Sequence, residues 1–179
     1  VTEPEDVVLG LRRGEVRLAE PTPRWAALYA DEARRLHAAL ARFGPAVEHC
    51  GSTSVPGLPA KPILDILVGA PHPIDVRDLA EALAPLGYAH APHAGVPGHE
   101  VFGRGMPRTH LLHVVPWRGP AWERMLRFRD ALRASPTLAA EYAALKRALA
   151  VRFPSDRAAY TDAKSGFIAR VLGETAPGA

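Results

Sequence analysis

The sequence predicts an α+β fold, α/β-like in character: a small mixed sheet with a C-terminal helical segment packed on it. Three observations lead there. Residues 63–68 form a short run that is apolar on both faces, the pattern of a central strand covered on both sides. Residues 100–103 and 109–115 read as a strand pair joined across Arg104-Gly105-Met106-Pro107. From Pro120 onward the pattern turns helical, which places strands before helices rather than alternating them to the end.

Taken in order, residues 1–15 are a flexible lead-in, followed by a short strand at 15–18. Thr22 can cap a helix whose first turn takes Pro23. Trp25, Leu28, Tyr29, Leu36 and Leu40 then recur at helical spacing until Phe43-Gly44 stops the helix. A strand at 47–50 leads into a glycine turn and the apolar strand. Pro71–Pro73 breaks the chain, residues 74–86 read as a helix closed by Gly87, and 89–99 is a loop rich in histidine, glycine and proline. Ser135-Pro136 and Ser155-Asp156 each set a capping serine at a helix start, giving helices near 120–133, 136–151 and 156–172. One domain is expected over 16–175, its sheet part at about 16–118 and its helical part at about 120–172.

Composition narrows the function classes. At 179 residues the chain can bury a sizeable core, and 47% hydrophobic with 23% charged residues is ordinary for a globular protein. A net charge of +3 and a pI near 9.4 suit an anionic ligand but lack the dense basic stripe of a nucleic-acid binder. The single Cys50 excludes an internal disulfide and fits a reducing compartment. No apolar run approaches a membrane span, and the segment VTEPEDVVLGLRRGEV has no apolar signal core. The expectation is a cytoplasmic protein with no membrane association; oligomeric state is open.

The stretch EHCGSTSVPGLPAKPILDILVG, residues 48–69, carries the chemistry. It sets Asp65 inside an apolar strand, where an ionised carboxylate needs a partner, a metal or an open site. A P-loop fails on spacing, because five residues separate Gly51 from Gly57 and Lys61 is followed by proline and a strand. The dinucleotide fingerprint fails too, and neither Ser52 nor Ser54 has the glycines of a nucleophile elbow. What survives is a Gly-Ser pair after one strand, an Asp on the next, and a lysine between. Nucleotidyltransferases of the DNA polymerase beta type use that arrangement to present amides and a hydroxyl to triphosphate oxygens beside carboxylate-held metal. A tight turn with Ser52 capping it, and Asp65 paired to Lys61 or an arginine, explains the same residues.

Glu48-His49 followed by GSTSVPGLPAKPILDILVG closely resembles the signature segment of the GrpB-like proteins. HLLHVV at 110–115, FRDALR at 128–133, Tyr-x-x-Leu-Lys at 142–146 and YTDAK at 160–164 follow in the family's order. The resemblance runs from about Val16 to Leu172. It implies a fold similar to the nucleotidyltransferases and a link to proteins in which such a domain is fused to dephospho-coenzyme A kinase. It brings no settled reaction.

An active nucleotidyltransferase places two acids two apart on one strand, so that both point to one face. Asp65 fills the first position and Leu67 the second, which puts a two-metal clamp in doubt. Mg²⁺ can be held by one carboxylate with phosphate oxygens and water. His110 and His113 must lie on opposite faces of a strand, and His113 is the candidate to join Asp65 as metal ligand or general base. Glu48 or His49 can complete the set, but only one of them can face it. The expected cofactor is a divalent metal, Mg²⁺ or Mn²⁺ ahead of Zn²⁺, with a nucleoside triphosphate as substrate. The expected phosphate contacts are Gly51, Ser52 and Thr53 in the loop, Lys61 before the strand, Arg104 beside the hairpin turn, and Arg129, Arg133, Lys146 and Lys164 on the terminal helices. Arg108, at the far side of the hairpin turn, belongs to the same basic set. Acids such as Asp130, Glu141 and Asp162 are the alternative partners of these cations. Tyr142, Tyr160 and Cys50 read as packing residues, and His72, His90, His93 and His99 as exposed loop histidines. A metal-dependent hydrolase built on Asp65 and a histidine rests on residue types alone. Two readings lead: a nucleotidyltransferase-like protein binding a nucleotide or other phosphate-bearing small molecule, or a catalytically silent binding module that kept the loop and lost the second acid.

Overall fold

Five strands form one mixed sheet in the computed structural model, which describes residues 9–92 and 98–174. The first eight residues of the expected lead-in, the middle of the histidine-rich loop with His93, and residue 175 lie outside the described residues. The strands are β1 (Ala46–Cys50), β2 (Leu64–Ala70), β3 (Tyr88–His90), β4 (Glu100–Arg104) and β5 (His110–Pro116). Their spatial order is β1-β2-β5-β4-β3. Only β2 and β5 run parallel, and all other neighbours are antiparallel. Leu64, Ile66, Leu67 and Val68 of β2 are fully buried, as expected of a central strand, and such burial stabilises by roughly 1.5–3 kcal/mol per side chain.

Register divides the sheet into two faces, because paired residues on neighbouring strands point the same way. Leu64, Ile66 and Val68 share one face with His110, Leu112, Val114, Phe102 and Arg104. Helices α1 (Arg24–Ala39) and α2 (Val76–Leu83) cover it, with Trp25, Leu36, Leu79 and Leu83 in its core. Asp65, Leu67 and Gly69 share the other face with Cys50, Glu48, Leu111 and His113. There α3 (Pro120–Ala134) packs Trp122 against Cys50, Leu67 and Val115. Beyond it lie α4 (Pro136–Arg152), α5 (Arg157–Asp162) and α6 (Ser165–Leu172).

Several boundaries differ from expectation for local reasons. Residues 15–18 form no strand; Val16 instead gives its N–H to Pro154, and isolated bridges join Leu11 to Arg108 and Ala19 to Ala60. Helix α2 begins at Val76 because the Asp75 carboxylate accepts from the Arg77 N–H (2.8 Å), and it tightens into a 3₁₀ turn at Ala84–Leu86. The segment expected as one helix over 156–172 is two: the Ser165 hydroxyl takes the Asp162 carbonyl at 2.6 Å, competing with the helical ladder. Asp156, not Ser155, caps α5, accepting from the Ala159 N–H at 3.0 Å, whereas Ser135 caps α4 as expected. Strand β3 arises where a loop was expected, its Tyr88 buried and paired across from Arg104.

Candidate functional site

The segment after β1 turns at Gly51, whose φ of 66° and ψ of −172° are a conformation essentially reserved for glycine. A short 3₁₀ turn, Ser52–Ser54, follows, and the chain then runs to Lys61 before entering β2. Three cations hold the carbonyls of this stretch from the helical side. Arg129 donates to the His49 carbonyl at 2.9 Å, and Arg133 gives both Nε and Nη2 to the Ser54 carbonyl at 3.0 and 2.8 Å. The Lys146 ammonium donates to the Pro59 carbonyl. Inside the turn, the Ser54 hydroxyl donates to the Gly51 carbonyl (2.6 Å) and His49 Nε2 meets Thr53 Oγ1 at 3.0 Å.

Asp65 lies beneath this turn at the uncovered margin of its face, with 32% of its side chain exposed. His113, its ring mostly buried, brings Nε2 to 3.5 Å from Asp65 Oδ1. Burial pushes the Asp65 carboxyl up, but His113, Lys61 and Arg157 outweigh it and hold the group below its usual range. The His113 Nδ1 atom is buried without a hydrogen-bond partner. Against its ring stands His99, edge-on at 5.7 Å, not in the exposed setting expected for a loop histidine.

Around Asp65 the helices gather positive charge. Lys61 and Lys164 both lie over the Tyr160 ring, at 5.5 and 4.5 Å, and Lys146 lies over Tyr142 at 4.9 Å. Tyr142 also reaches the Ser52 hydroxyl. Arg157, at the start of α5, couples to Lys61, Lys164 and Asp65. The Arg108 guanidinium lies flat on Gly103, where a Cβ would overlap it, and couples to Arg157. Burial first, and the neighbouring cations next, lower Lys146 and Lys164 to about 7; burial, then Arg157, lowers Lys61 to about 8. Among the described residues no carboxylate stands within ion-pair distance of any of these five cations.

The structure therefore brings together Gly51, Ser52, Lys61, Asp65, His113, Lys146 and Lys164 from the sequence-expected set, while the buried Thr53 turns its hydroxyl to His49, which the register puts on the α1 face. It separates others. Arg104 is on the opposite face, its guanidinium on the buried Glu32 (2.8 Å) and on His110, because the β4 register points it toward α1. Glu48 shares the face of Asp65 but pairs with Arg129 at 2.8 Å, so it does not converge with Asp65 and His113. Among the described residues no three His, Cys, Asp or Glu side chains form a metal-holding group. Arg129 also pairs with Asp130, and both family-matched arginines of α3 are spent on the loop carbonyls. Arg157 was not in the expected set, although Arg157, Tyr160 and Lys164 have the spacing of one helix face. Two surface hollows, of about 310 and 510 Å³, lie elsewhere, beside Pro56–Pro136 and Arg12–Pro154.

Comparison with known proteins gives consistent matches. The sequence model of the family described as GrpB protein matches residues 15–174. The chain is 36% identical over 173 residues to the "Glutamate-rich protein GrpB" of Alkalihalophilus pseudofirmus, covering 93% of this chain and 99% of that one. The crystal structure of the conserved protein GrpB from Enterococcus faecalis superposes with a TM-score of 0.78 at 34% identity, over 88% of this chain and 95% of that one. A more distant match, 29% identical over 182 residues, is a "Dephospho-CoA kinase" of Mycolicibacterium paratuberculosis; it covers 86% of this chain but 44% of that protein. No helix among the described residues is long and apolar enough to cross a membrane.

Proposed function

The chain belongs to the GrpB family, and from that premise we propose that it binds a phosphate-bearing small molecule, a nucleotide first of all. The proposed site lies between the Gly51–Lys61 loop and helices α4–α6, around Asp65. One observation carries the reading: Lys61, Lys164 and Arg157 act on a single carboxylate, Asp65, with Lys146 beside the lysines and Arg108 beside Arg157, and among the described residues no carboxylate stands within ion-pair distance of any of the five. Burying unpaired lysines is costly, and a phosphate group supplies the missing charge. The similarity to a protein named dephospho-CoA kinase supports a nucleotide-like ligand.

The reaction to test is nucleotidyl transfer. Asp65 and His113, whose Oδ1 and Nε2 stand 3.5 Å apart, are the residues that would hold one divalent ion. When bound, the ion would neutralise phosphate oxygens beside the lysines. The residues do not fit a two-metal clamp, because Leu67 occupies the second acid position and Glu48 is held by Arg129. The chain's own groups would bind the phosphates through Lys61 and Lys164, orient them on Ser52, and hold a proton at His113. The donor set of one carboxylate and one imidazole admits Mn²⁺ and Zn²⁺ as well as Mg²⁺.

Leu67 favours a second reading, a nucleotide-binding module without turnover, since its buried side chain is part of the packing under α3. Thermal denaturation with a panel of nucleotides, with and without divalent metal, tests the shared claim. A ligand at a hundredfold excess over its Kd adds about 2.7 kcal/mol to apparent stability. Lys61→Ala and Lys164→Ala should abolish the gain; a gain retained in both variants rules out this pocket.

A further inference from the structure

We infer that the pocket receives the most highly charged part of its ligand, a group of three or more negative charges, and takes up protons from water as it does so. The inference rests on the reading above and specifies the charge that site accepts. The cations of the cluster come from separate elements: Lys61 from the loop, Lys146 from α4, Arg157 from α5 and Lys164 from the α5–α6 junction. Arg108 comes from the β4–β5 turn beside Arg157, and among the described residues Asp65 on β2 is the carboxylate that acts on Lys61, Lys164 and Arg157. If all were ionised, five cations against one anion would leave an excess of four positive charges in a partly buried space.

Such an excess is not held in an empty site. Lys146 is 1% exposed, and Lys61 and Lys164 meet over one tyrosine ring, so each ammonium opposes the next. Burial first, and the neighbouring cations next, lower Lys61 to about 8 and Lys146 and Lys164 to about 7, so the free site sheds part of this charge near neutrality. The other titratable groups beside the cluster do not substitute for this release. Tyr160, raised by burial to about 12, stays neutral, and Tyr142 is raised further by burial and by Tyr160. His99 is lowered by burial and His113, so it adds no charge at neutral pH. His113 faces Asp65 across 3.5 Å, and the lysines are the groups an incoming anion recharges.

An anion reverses the balance: it stabilises the ammonium form and draws protons back. A monophosphate offers at most two charges and leaves part of the excess uncompensated, whereas a pyrophosphate or triphosphate group offsets it. By linkage, each proton taken up weakens binding tenfold per pH unit above the free pocket's titration range.

The experiment is calorimetric titration of the full chain with orthophosphate, pyrophosphate and tripolyphosphate, free of divalent metal. Each is run at pH 7.5 and 8.5 in two buffers of different ionisation heat. Affinity is expected to rise at least about tenfold at each added phosphate, and to fall about tenfold between the two pH values. The observed heat should differ between buffers by about one proton per anion. Lys164→Met and Lys61→Met each should lower that proton count, which separates the pocket's titration from the anion's own. Equal affinity for orthophosphate and tripolyphosphate overturns the inference, as do identical heats in both buffers or a proton count unchanged in both variants. Nucleotide binding that none of the three anions competes with overturns it while leaving the nucleotide reading in place. Absence of binding by any nucleotide or anion sinks both.

Discussion

A Cβ on Gly51 would stand 2.6 Å from Asp65 Oδ2, so the glycine that opens the signature loop and the carboxylate on β2 fit only because one of them has no side chain. The loop is laid directly on the acid. This contact sets how near any ligand of the loop comes to Asp65, and it explains why the carboxylate can sit at the head of an apolar strand without being sealed.

Gly51→Ala should therefore lose on two counts. The backbone conformation costs roughly 1–3 kcal/mol for any other residue, and the new methyl group displaces the Asp65 carboxylate. Urea denaturation should show a loss within or above that range, and nucleotide-induced stabilisation should vanish with it. A variant of native stability that still binds would mean the turn re-forms without touching Asp65.

Arg104 gives the opposite expectation. Its guanidinium satisfies Glu32, which is 3% exposed and also accepts from the Tyr88 hydroxyl at 2.9 Å. Arg104→Met leaves a buried carboxylate short of a partner, and stability should fall by about 3 kcal/mol. Arg35 keeps its own contact with Glu32 from the exposed side and limits the loss. Ligand affinity should be unchanged, because the residue is on the α1 face; a large change in affinity with stability intact would contradict that placement.

The split fate of the hairpin's two arginines shows what sequence patterning can and cannot yield. Arg104 and Arg108 look equivalent as flanks of one turn, but strand register sends the first under α1, while the second lies across Gly103 beside Arg157, on the face that carries Asp65. Register is a property of pairing between distant segments, so it is not carried locally. The central strand, the hairpin, the capping role of Ser135 and the opposition of His110 to His113 follow from period-two alternation and cap chemistry, and were legible. Strand β3 was not, since three residues after a glycine carry too little pattern to tell strand from loop. One legible signal went unused. Tyr142–Lys146 and Tyr160–Lys164 are the same four-residue spacing twice, and each lysine does lie over its tyrosine. The roles of Arg129 and Arg133 could not be read, because nothing local tells an arginine that grips phosphate from one that grips a carbonyl.

Arg133 should behave as a loop fastener. It makes two charge-assisted bonds to the Ser54 carbonyl, from a side chain that is 40% exposed, so Arg133→Ala should cost on the order of 1–2 kcal/mol after allowance for solvent. Lysine cannot reproduce the paired donors, and Arg133→Lys should recover less than half of the loss. Amide hydrogen exchange over residues 51–58 reads the effect directly. Unaltered protection there, with ligand affinity lost, would return Arg133 to the list of phosphate contacts.

Stability should also rise with pH above neutrality. Lys146 is lowered from 10.5 to about 7 in the folded chain, by burial first and by Lys164, Arg147 and Lys61 next. Between those values the unfolded chain binds the extra proton, so unfolding free energy increases with pH, by up to about 1.4 kcal/mol per unit. The penalty is fully present below about pH 7 and fades toward pH 10. Denaturation at pH 7, 8 and 9 should show this slope, and Lys146→Met should make it shallower by about one proton. A slope identical in the variant would mean that Lys146 keeps its proton in the fold.

The hardest test concerns Leu67, which stands where a second acid would share the face of Asp65. Its side chain is fully buried and packs with Cys50, Val115 and Trp122 beneath α3, directly across from Glu48 and His113 in the register. The position serves packing. Leu67→Asp should not create an active site: it removes core volume and buries a charge directly across from Glu48, whose own cation is Arg129. The expected loss is roughly 3–5 kcal/mol, enough to unfold a marginal protein. For the proposed transfer, absence of an interaction worth about 3–4 kcal/mol in the transition state is expected to slow the step by about 10²–10³-fold. Label transfer from each nucleoside triphosphate with Mg²⁺, Mn²⁺ and Zn²⁺ measures that deficit, with Asp65→Asn and His113→Ala as controls. Brisk Mg²⁺-dependent turnover in the native chain, indifferent to His113→Ala, would show that another carboxylate serves in place of residue 67. Tight nucleotide binding with no transfer under any metal would identify the pocket as a binding site alone, and a folded Leu67→Asp chain that gains transfer would show that only the acid had been missing.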